Sequence, residues 1–233
     1  MICHQYQCIF VHIPKVAGQS IEDVFLKKTN CERPELLLKP NSDPSKGPPR
    51  LAHLTAEEYV KYNYIDRKLF NSYFKFSFVR NPWARLVSEY KFRHQNRYDF
   101  KTFLFKNFPK PQEDCYKKFT AEYRHIIPQY NFLFDSSGKQ LVNFIGRFEH
   151  IQQDFDYICR QLQISPLTLP HKNKSSTNLY EKIGHKILSK LGFEAGKNKP
   201  KKVNYTEYYD QESIDHVASL YSKDIEVFKY QFD

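Results

Sequence analysis

Residues 12–20, His12-Ile13-Pro14-Lys15-Val16-Ala17-Gly18-Gln19-Ser20, combine the ingredients of an anion cradle. Lys15 brings a positive charge, Gly18 lets the backbone come close to a ligand, and Ser20 sits where a helix should begin. Unpaired N–H groups and the helix dipole both favour an anion at such a place. The segment is not a Walker A loop, because Gly-x-x-x-x-Gly-Lys-Ser/Thr is absent. Taken alone it reads equally as an ordinary strand-to-helix turn with a solvated lysine. A second set lies at 78–90, Phe78-Val79-Arg80-Asn81-Pro82-Trp83-Ala84-Arg85-Leu86-Val87-Ser88-Glu89-Tyr90. An arginine closing a strand, followed by a capped helix that carries a serine, can hold a phosphate through a guanidinium fork and a hydroxyl. The plain alternative is a salt-bridged Arg80 and a Ser88 that faces a neighbouring helix. Between the two sets stands His53, whose type suits proton acceptance near neutrality; its alternative is packing at a helix start.

These residues need elements to bring them together. Residues 8–13 form a short apolar run, as expected of a strand buried on both faces and ended by Pro14. Ser20 is the expected N-cap of the next helix, with Glu22 and Asp23 in its first turn. Residues 39–50 are dense in turn formers and read as a loop. A helix is expected over 55–62, and a second strand over 74–79 with Phe at alternate positions. Asn81 suits an N-cap and Pro82 the first helical position, so a helix should run to about His94. A further strand is expected over 141–148. Apolar positions at helical spacing follow from Ile151 to Leu162, and Ile214, Val217, Tyr221, Ile225 and Phe228 mark a closing amphipathic helix. Strands alternating with helices predict an α/β fold with a mostly parallel central sheet and helices on both faces. Ligands of such sheets sit beyond the carboxyl ends of the strands, where both candidate sets fall.

The chain has 233 residues, 40% of them hydrophobic, including 20 Phe and 17 Tyr, which is enough for a core that needs no staples. With only 7 Gly and no linker-like tract, it reads as one domain over 1–233. The formal net charge of +10 implies an anionic partner: nucleotide, acidic polysaccharide or nucleic acid. Five cysteines, none in a Cys-x-x-Cys pair, suit free thiols better than a disulfide framework. Cys3, His4, Cys8 and His12 are poorly spaced for a tetrahedral site, so no metal is expected. No signal peptide or membrane span is recognisable. The expected location is the cytoplasm if the chain is whole, and the Golgi lumen if it is a trimmed catalytic domain.

Together the two sets resemble the carbohydrate-type sulfotransferases that use 3′-phosphoadenosine 5′-phosphosulfate (PAPS), a family that includes heparan and chondroitin enzymes and bacterial relatives. Residues 12–20 resemble that family's 5′-phosphosulfate loop and residues 79–90 its 3′-phosphate element. Weaker likeness runs through Tyr123–Gln129, Phe144–Glu149 and Tyr208–Asp210. The resemblance implies a P-loop-like sulfotransferase fold, PAPS as donor with PAP (3′-phosphoadenosine 5′-phosphate) as product, no metal, and a glycan or acidic polysaccharide as acceptor. It assigns Lys15, Gly18, Gln19, Ser20, Arg80 and Ser88 to the donor, with Lys174 and Ser175 in a loop that could close over it. Lys15 and His53 become the catalytic pair, His53 as base, and His125 and Gln129 become acceptor contacts. Glu149 is expected to hold Arg147 in an ion pair. Two departures stand out: Val16 and Gln19 replace hydroxyl residues of the family loop. The rivals are an ATP-dependent P-loop kinase and a basic nucleic-acid-binding module. The first lacks a Walker A hydroxyl and an acidic partner for Mg²⁺, and the second lacks a recognition motif.

Overall fold

The computed structural model describes residues 1–170 and 203–233. Its central sheet has strand order β1-β2-β3-β6, made of Ile2–Cys3 (β1), Cys8–Val11 (β2), Phe74–Val79 (β3) and Phe144–Arg147 (β6). β1 and β2 form an antiparallel hairpin, whereas β2, β3 and β6 run parallel. Asp114–Cys115 (β4) and Thr120–Ala121 (β5) form a separate small hairpin. β2 is buried throughout, as its unbroken apolar sequence requires. Register places Val11 opposite Ser77, and Val79 opposite Arg147. The three parallel strands therefore end on one edge, and the residues that follow them (His12, Arg80 and Phe148) emerge there together.

Helices Gly18–Thr29 (α1), Glu58–Lys61 (α2), Arg67–Ser72 (α3), Pro82–Arg93 (α4) and Phe100–Lys106 (α5) precede the small hairpin and its surroundings. Glu122–Ile126 (α6), Tyr130–Leu133 (α7) and Ile151–Gln161 (α8) follow. The main core packs Phe10, Phe25, Phe76 and Phe155 between sheet and helices. A second cluster, built on Trp83, Tyr90, Phe103, Val217 and Tyr221, lies between α4, α5 and the closing helices. It fixes α4, the helix that carries Ser88, and the Tyr221 hydroxyl ties it to the Ile126 carbonyl at 2.6 Å.

The α4 start is as read from sequence: the Asn81 side chain accepts from the N–H groups of Trp83 and Ala84, and Pro82 follows. Five expectations differ. The strand expected over 8–13 ends at Val11, and the His12 carbonyl beyond it accepts from His53 instead of extending the sheet. α1 begins at Gly18 with Ala17, not Ser20, at its N-cap, so Glu22 and Asp23 fall beyond its first turn. The expected helix over 55–62 shortens to Glu58–Lys61; in the turn before it Thr55 and Glu58 exchange bonds, the Thr55 N–H donating to Glu58 Oε2 and the Glu58 N–H to Thr55 Oγ1. The strand expected over 141–148 is Phe144–Arg147, since Asn143 instead bonds Lys75 at the entry to the sheet. The closing helix is two, Gln211–Leu220 and Ser222–Phe228, broken at Tyr221. No helix among the described residues is long and apolar enough to cross a membrane.

Candidate active site

The loop after β2 is shaped by one histidine. A Cβ on Gly18 would lie 2.1 Å from Cδ2 and Nε2 of His12, so only glycine lets that ring lie across the start of α1. The ring is pinned in turn: Nδ1 meets Glu22 Oε1 at 2.6 Å, and Phe10 stacks on it at 5.4 Å between centroids. Around it the chain turns sharply, with Lys15 at φ 71° and Ala17 at φ 64°. Each left-handed non-glycine residue costs about 1–3 kcal/mol, strain that the surrounding structure must hold. Val16 points into the core and is fully buried, so the hydroxyl of the family loop has no solvent-side counterpart here. What the loop offers is the Lys15 ammonium and the first N–H groups of α1, which lack an acceptor one turn back, although that of Ser20 already donates to the Ala17 carbonyl at 3.0 Å.

Two arginines brace this loop from the second element. Buried Arg85 donates to three carbonyls, those of Pro14 (3.1 Å), Ile127 (3.0 Å) and His125 (2.8 Å). Arg80 donates to the Lys15 carbonyl at 3.2 Å, and its guanidinium lies 4.2 Å from the Phe148 ring centroid. Burial, with Arg85 nearby, pushes the Arg80 pKa down to about 10 against the pull of Glu149. Arg80 lines a cleft of about 620 Å³ shared with Ala84, Arg147, His150, Tyr205 and Lys229. Along α4, Ala84, Ser88 and Phe92 follow at intervals of four and so share a face. That face runs from the cleft to Phe92, whose ring centroid is 3.8 Å from Lys15 Nζ. Ser88 lies half-buried on that face, between Ala84 beside the Arg80 cleft and Phe92 beside Lys15. Burial pushes the Lys15 pKa down to about 8, with Arg80, Arg93 and Arg85 adding to the shift and Glu89 opposing it.

Behind the lysine loop three histidines pack edge to face. His53 is 4.6 Å from His12 and 5.0 Å from His125 between centroids. Its Nδ1 lies 3.2 Å from the His12 carbonyl, an acceptor, so Nδ1 carries the proton and Nε2 keeps its lone pair. Burial, then His12 and His125, hold its pKa well below 6.5. His125 differs: Nδ1 donates to Glu89 Oε2 at 2.9 Å, and Nε2 faces the Arg93 guanidinium at 3.3 Å. Because arginine only donates, the His125 lone pair is already engaged. His125 is also lowered, since burial outweighs the buried Glu89 beside it. Although burial opposes it, the pKa of Glu89 is held at about 2 by His125, Lys15 and Arg93.

The expected site residues fall into two groups. Lys15, Gly18, Arg80, Ser88, His53 and His125 come together around the carboxyl edge of the sheet, and Gln19 is exposed on the first turn of α1. Ser20 is buried and gives its hydroxyl to the Pro170 carbonyl at 2.7 Å. Gln129, expected as an acceptor contact, is fully buried. Its side chain clamps the backbone of Arg80, accepting from the N–H at 2.9 Å and donating to the carbonyl at 2.8 Å, and also donates to Asp224. Glu149 does not pair with Arg147; it accepts from the Asn81 N–H and the Tyr230 hydroxyl, while Arg147 donates to the Phe228 carbonyl. Lys174 and Ser175 lie outside the described residues. Sequence reasoning missed Arg85, Glu89, Phe92 and Arg93. Glu89 stands four residues after Arg85 and four before Arg93, a charge spacing on one helix face that could have drawn attention to them.

Comparison with known proteins gives this arrangement a context. The model of the sulfotransferase family matches residues 1–231. An uncharacterized protein of Archaeoglobus fulgidus is 29% identical over 52% of this chain and 93% of its own length. Carbohydrate sulfotransferase 10 of Danio rerio is 25% identical over 72% of the chain, and that of Xenopus laevis 24% identical over 82%. The matches take in 44% of the zebrafish protein and 62% of the frog protein, so the chain spans less than two thirds of either. No solved structure gives a significant match.

Proposed function

Because the chain belongs to the sulfotransferase family, we propose that it moves a sulfuryl group from PAPS to a hydroxyl of a glycan. One observation carries the reading. The Lys15 loop and Arg80 meet at the carboxyl edge of the sheet, with a neutral, lone-pair-bearing His53 directly behind them. The groups present fit the donor's three parts. The N-terminus of α1 and Lys15 suit the 5′-phosphosulfate, Arg80 and Ser88 suit the 3′-phosphate, and the cleft beside Arg80 has room for the nucleoside.

PAPS supplies an activated sulfur atom whose leaving group is the 5′-phosphate of PAP. The acceptor oxygen attacks sulfur as the bond from sulfur to the phosphate oxygen breaks, and the electron pair leaves with PAP. Such in-line displacement asks the protein for positioning and charge stabilisation rather than covalent chemistry, by analogy with phosphoryl transfer. Lys15 stabilises the charge growing on the leaving oxygen, an effect strongest where water is excluded. His53 Nε2 takes the acceptor's proton, for which its depressed pKa keeps it unprotonated at neutral pH. Gln129 and Arg85 act through others: one fixes the backbone of Arg80, the other the lysine loop.

The names of the vertebrate relatives support a carbohydrate acceptor, and the net charge of +10 favours an acidic one. Thermal unfolding in the presence of PAP, adenosine 5′-phosphosulfate, ATP with Mg²⁺, or an oligonucleotide tests the donor assignment. A ligand at a hundred times its Kd stabilises the native state by about 2.7 kcal/mol, which is about 5–10 °C for a chain of this size. PAP should give that shift. Stabilisation by ATP with Mg²⁺ or by the oligonucleotide, with none from PAP, would overturn the proposal.

A further inference from the structure

Phe92 has no part in either donor element, yet it is the large hydrophobic side chain most open to solvent among the described residues, 62% exposed. It sits on α4 one turn beyond Ser88, and its ring faces the site rather than the second core. Lys15 Nζ lies over it at 3.8 Å, and the His125 ring runs nearly parallel to it at 8°. The nearest acid to compete for the lysine, Glu89, has one oxygen on His125 Nδ1 and the other 2.8 Å from Arg93 Nε. Among the described residues Lys15 has no carboxylate partner, so the aromatic face is its holder.

We propose that Phe92 is the positioning residue for Lys15. Its ring holds the ammonium in the unliganded protein and gives it up to the donor's phosphosulfate. The idea rests on the PAPS reading above and deepens it. A lysine side chain is flexible and carries a large rotamer entropy, and here it springs from a left-handed backbone residue that points it off the usual path. A carboxylate would hold it firmly but would cancel its charge, and a half-buried ion pair would have to break before the donor could bind. An aromatic ring attracts the cation without neutralising it, and the attraction is weak enough for a phosphosulfate carrying two charges to overcome. Lys15 is therefore held near the leaving oxygen while its full charge stays available.

The test needs no knowledge of the acceptor. In protein labelled at lysine Cε, the Lys15 resonance is identified by its absence from Lys15→Arg. Ring-current shielding should place it upfield of the other lysines in the free wild type, and saturating PAP should return it among them. In Phe92→Leu it should sit with the others from the start. At this exposed position the substitution should leave folding intact, which a melting curve checks directly. In the second arm, PAPS cleavage by water is followed as PAP release. Phe92→Leu should be slower by about tenfold or more, as misplacement of a catalytic group costs, and Phe92→Tyr should stay near wild type. PAP affinity in both should change by about two- to fivefold at most, the equivalent of an exposed cation–π contact. An unshielded Lys15 in the free wild type, or cleavage by Phe92→Leu at the wild-type rate, would overturn the holding role. Failure of PAP to bind wild type while Lys15 remains shielded would instead refute the donor reading and leave the ring contact standing.

Discussion

Gly18→Ala measures how the loop after β2 is built. The added Cβ would lie 2.1 Å from two atoms of the His12 ring and 2.6 Å from Cε1. Ordinary contact begins near 3.4 Å, so the ring must retreat by more than an ångström. It has nowhere to go, with Glu22 at 2.6 Å, Phe10 stacked at 5.4 Å and His53 edge-on at 4.6 Å. If the ring tilts in place, overpacking costs about 1–3 kcal/mol. If its bond to Glu22 breaks, a carboxylate 1% exposed keeps only Arg33 among the described residues, and the loss rises to about 3–5 kcal/mol. At about 2–4 °C per kcal/mol for a chain of this size, melting should fall by about 2–20 °C. The assay is thermal unfolding of wild type, Gly18→Ala, His12→Ala and the double variant. If the glycine serves the histidine, adding Gly18→Ala to His12→Ala should cost under about 1 kcal/mol, a large coupling between neighbours. Equal cost in both backgrounds would refute the reasoning and return Gly18 to the ligand alone.

Arg80→Ala should lose about 2–5 kcal/mol of PAP affinity by calorimetry, the scale for truncating a hydrogen-bonded charge pair. Adenosine 5′-phosphosulfate, which lacks the 3′-phosphate, should bind wild type weakly and scarcely notice the change. His53→Ala should lower kcat by about 10²–10⁴ with PAP affinity retained. Because the folded-state pKa of His53 is depressed, the base is unprotonated through neutrality. The acidic limb of the wild-type rate profile should therefore lie below the ordinary histidine range and vanish in the variant. Lys15 must be protonated to act, and its pKa in the free protein is about 8. Hence kcat/KM for PAPS should fall as pH rises through about 8, while kcat, which reports the donor complex, should hold to higher pH.

What the sequence reveals is what neighbours in the chain decide. Asn81 and Pro82 start α4 as expected because a cap and a fixed φ are local devices. The buried strand, the parallel sheet and the meeting of the two anion elements at its carboxyl edge follow from apolar runs and from the usual handedness of such folds. Ser20 failed as an N-cap for a long-range reason: its hydroxyl goes to the Pro170 carbonyl, 150 positions later, and α1 starts earlier, at Gly18, behind Ala17. Gln129 could be read only as a polar residue in a family-like stretch. Its partners are the Arg80 backbone and Asp224, 95 positions later. His53 could be chosen over His125 as base only by residue type, position between the two sets and resemblance; which of their nitrogens already has a partner was not legible, because those partners are His12, Glu89 and Arg93.

Transfer of labelled sulfate from PAPS to a panel of unsulfated glycosaminoglycans, capsular polysaccharides and simple glycosides tests the central claim most directly. Wild type should label at least one carbohydrate with one PAP released per sulfate transferred. Lys15→Ala, run beside it, should fall by about 10²–10³, the usual loss when a preorganised charge at the transition state is removed. Sulfate transfer that persists in Lys15→Ala, or a wild-type protein that binds PAPS yet labels no hydroxyl in the panel, would contradict the account.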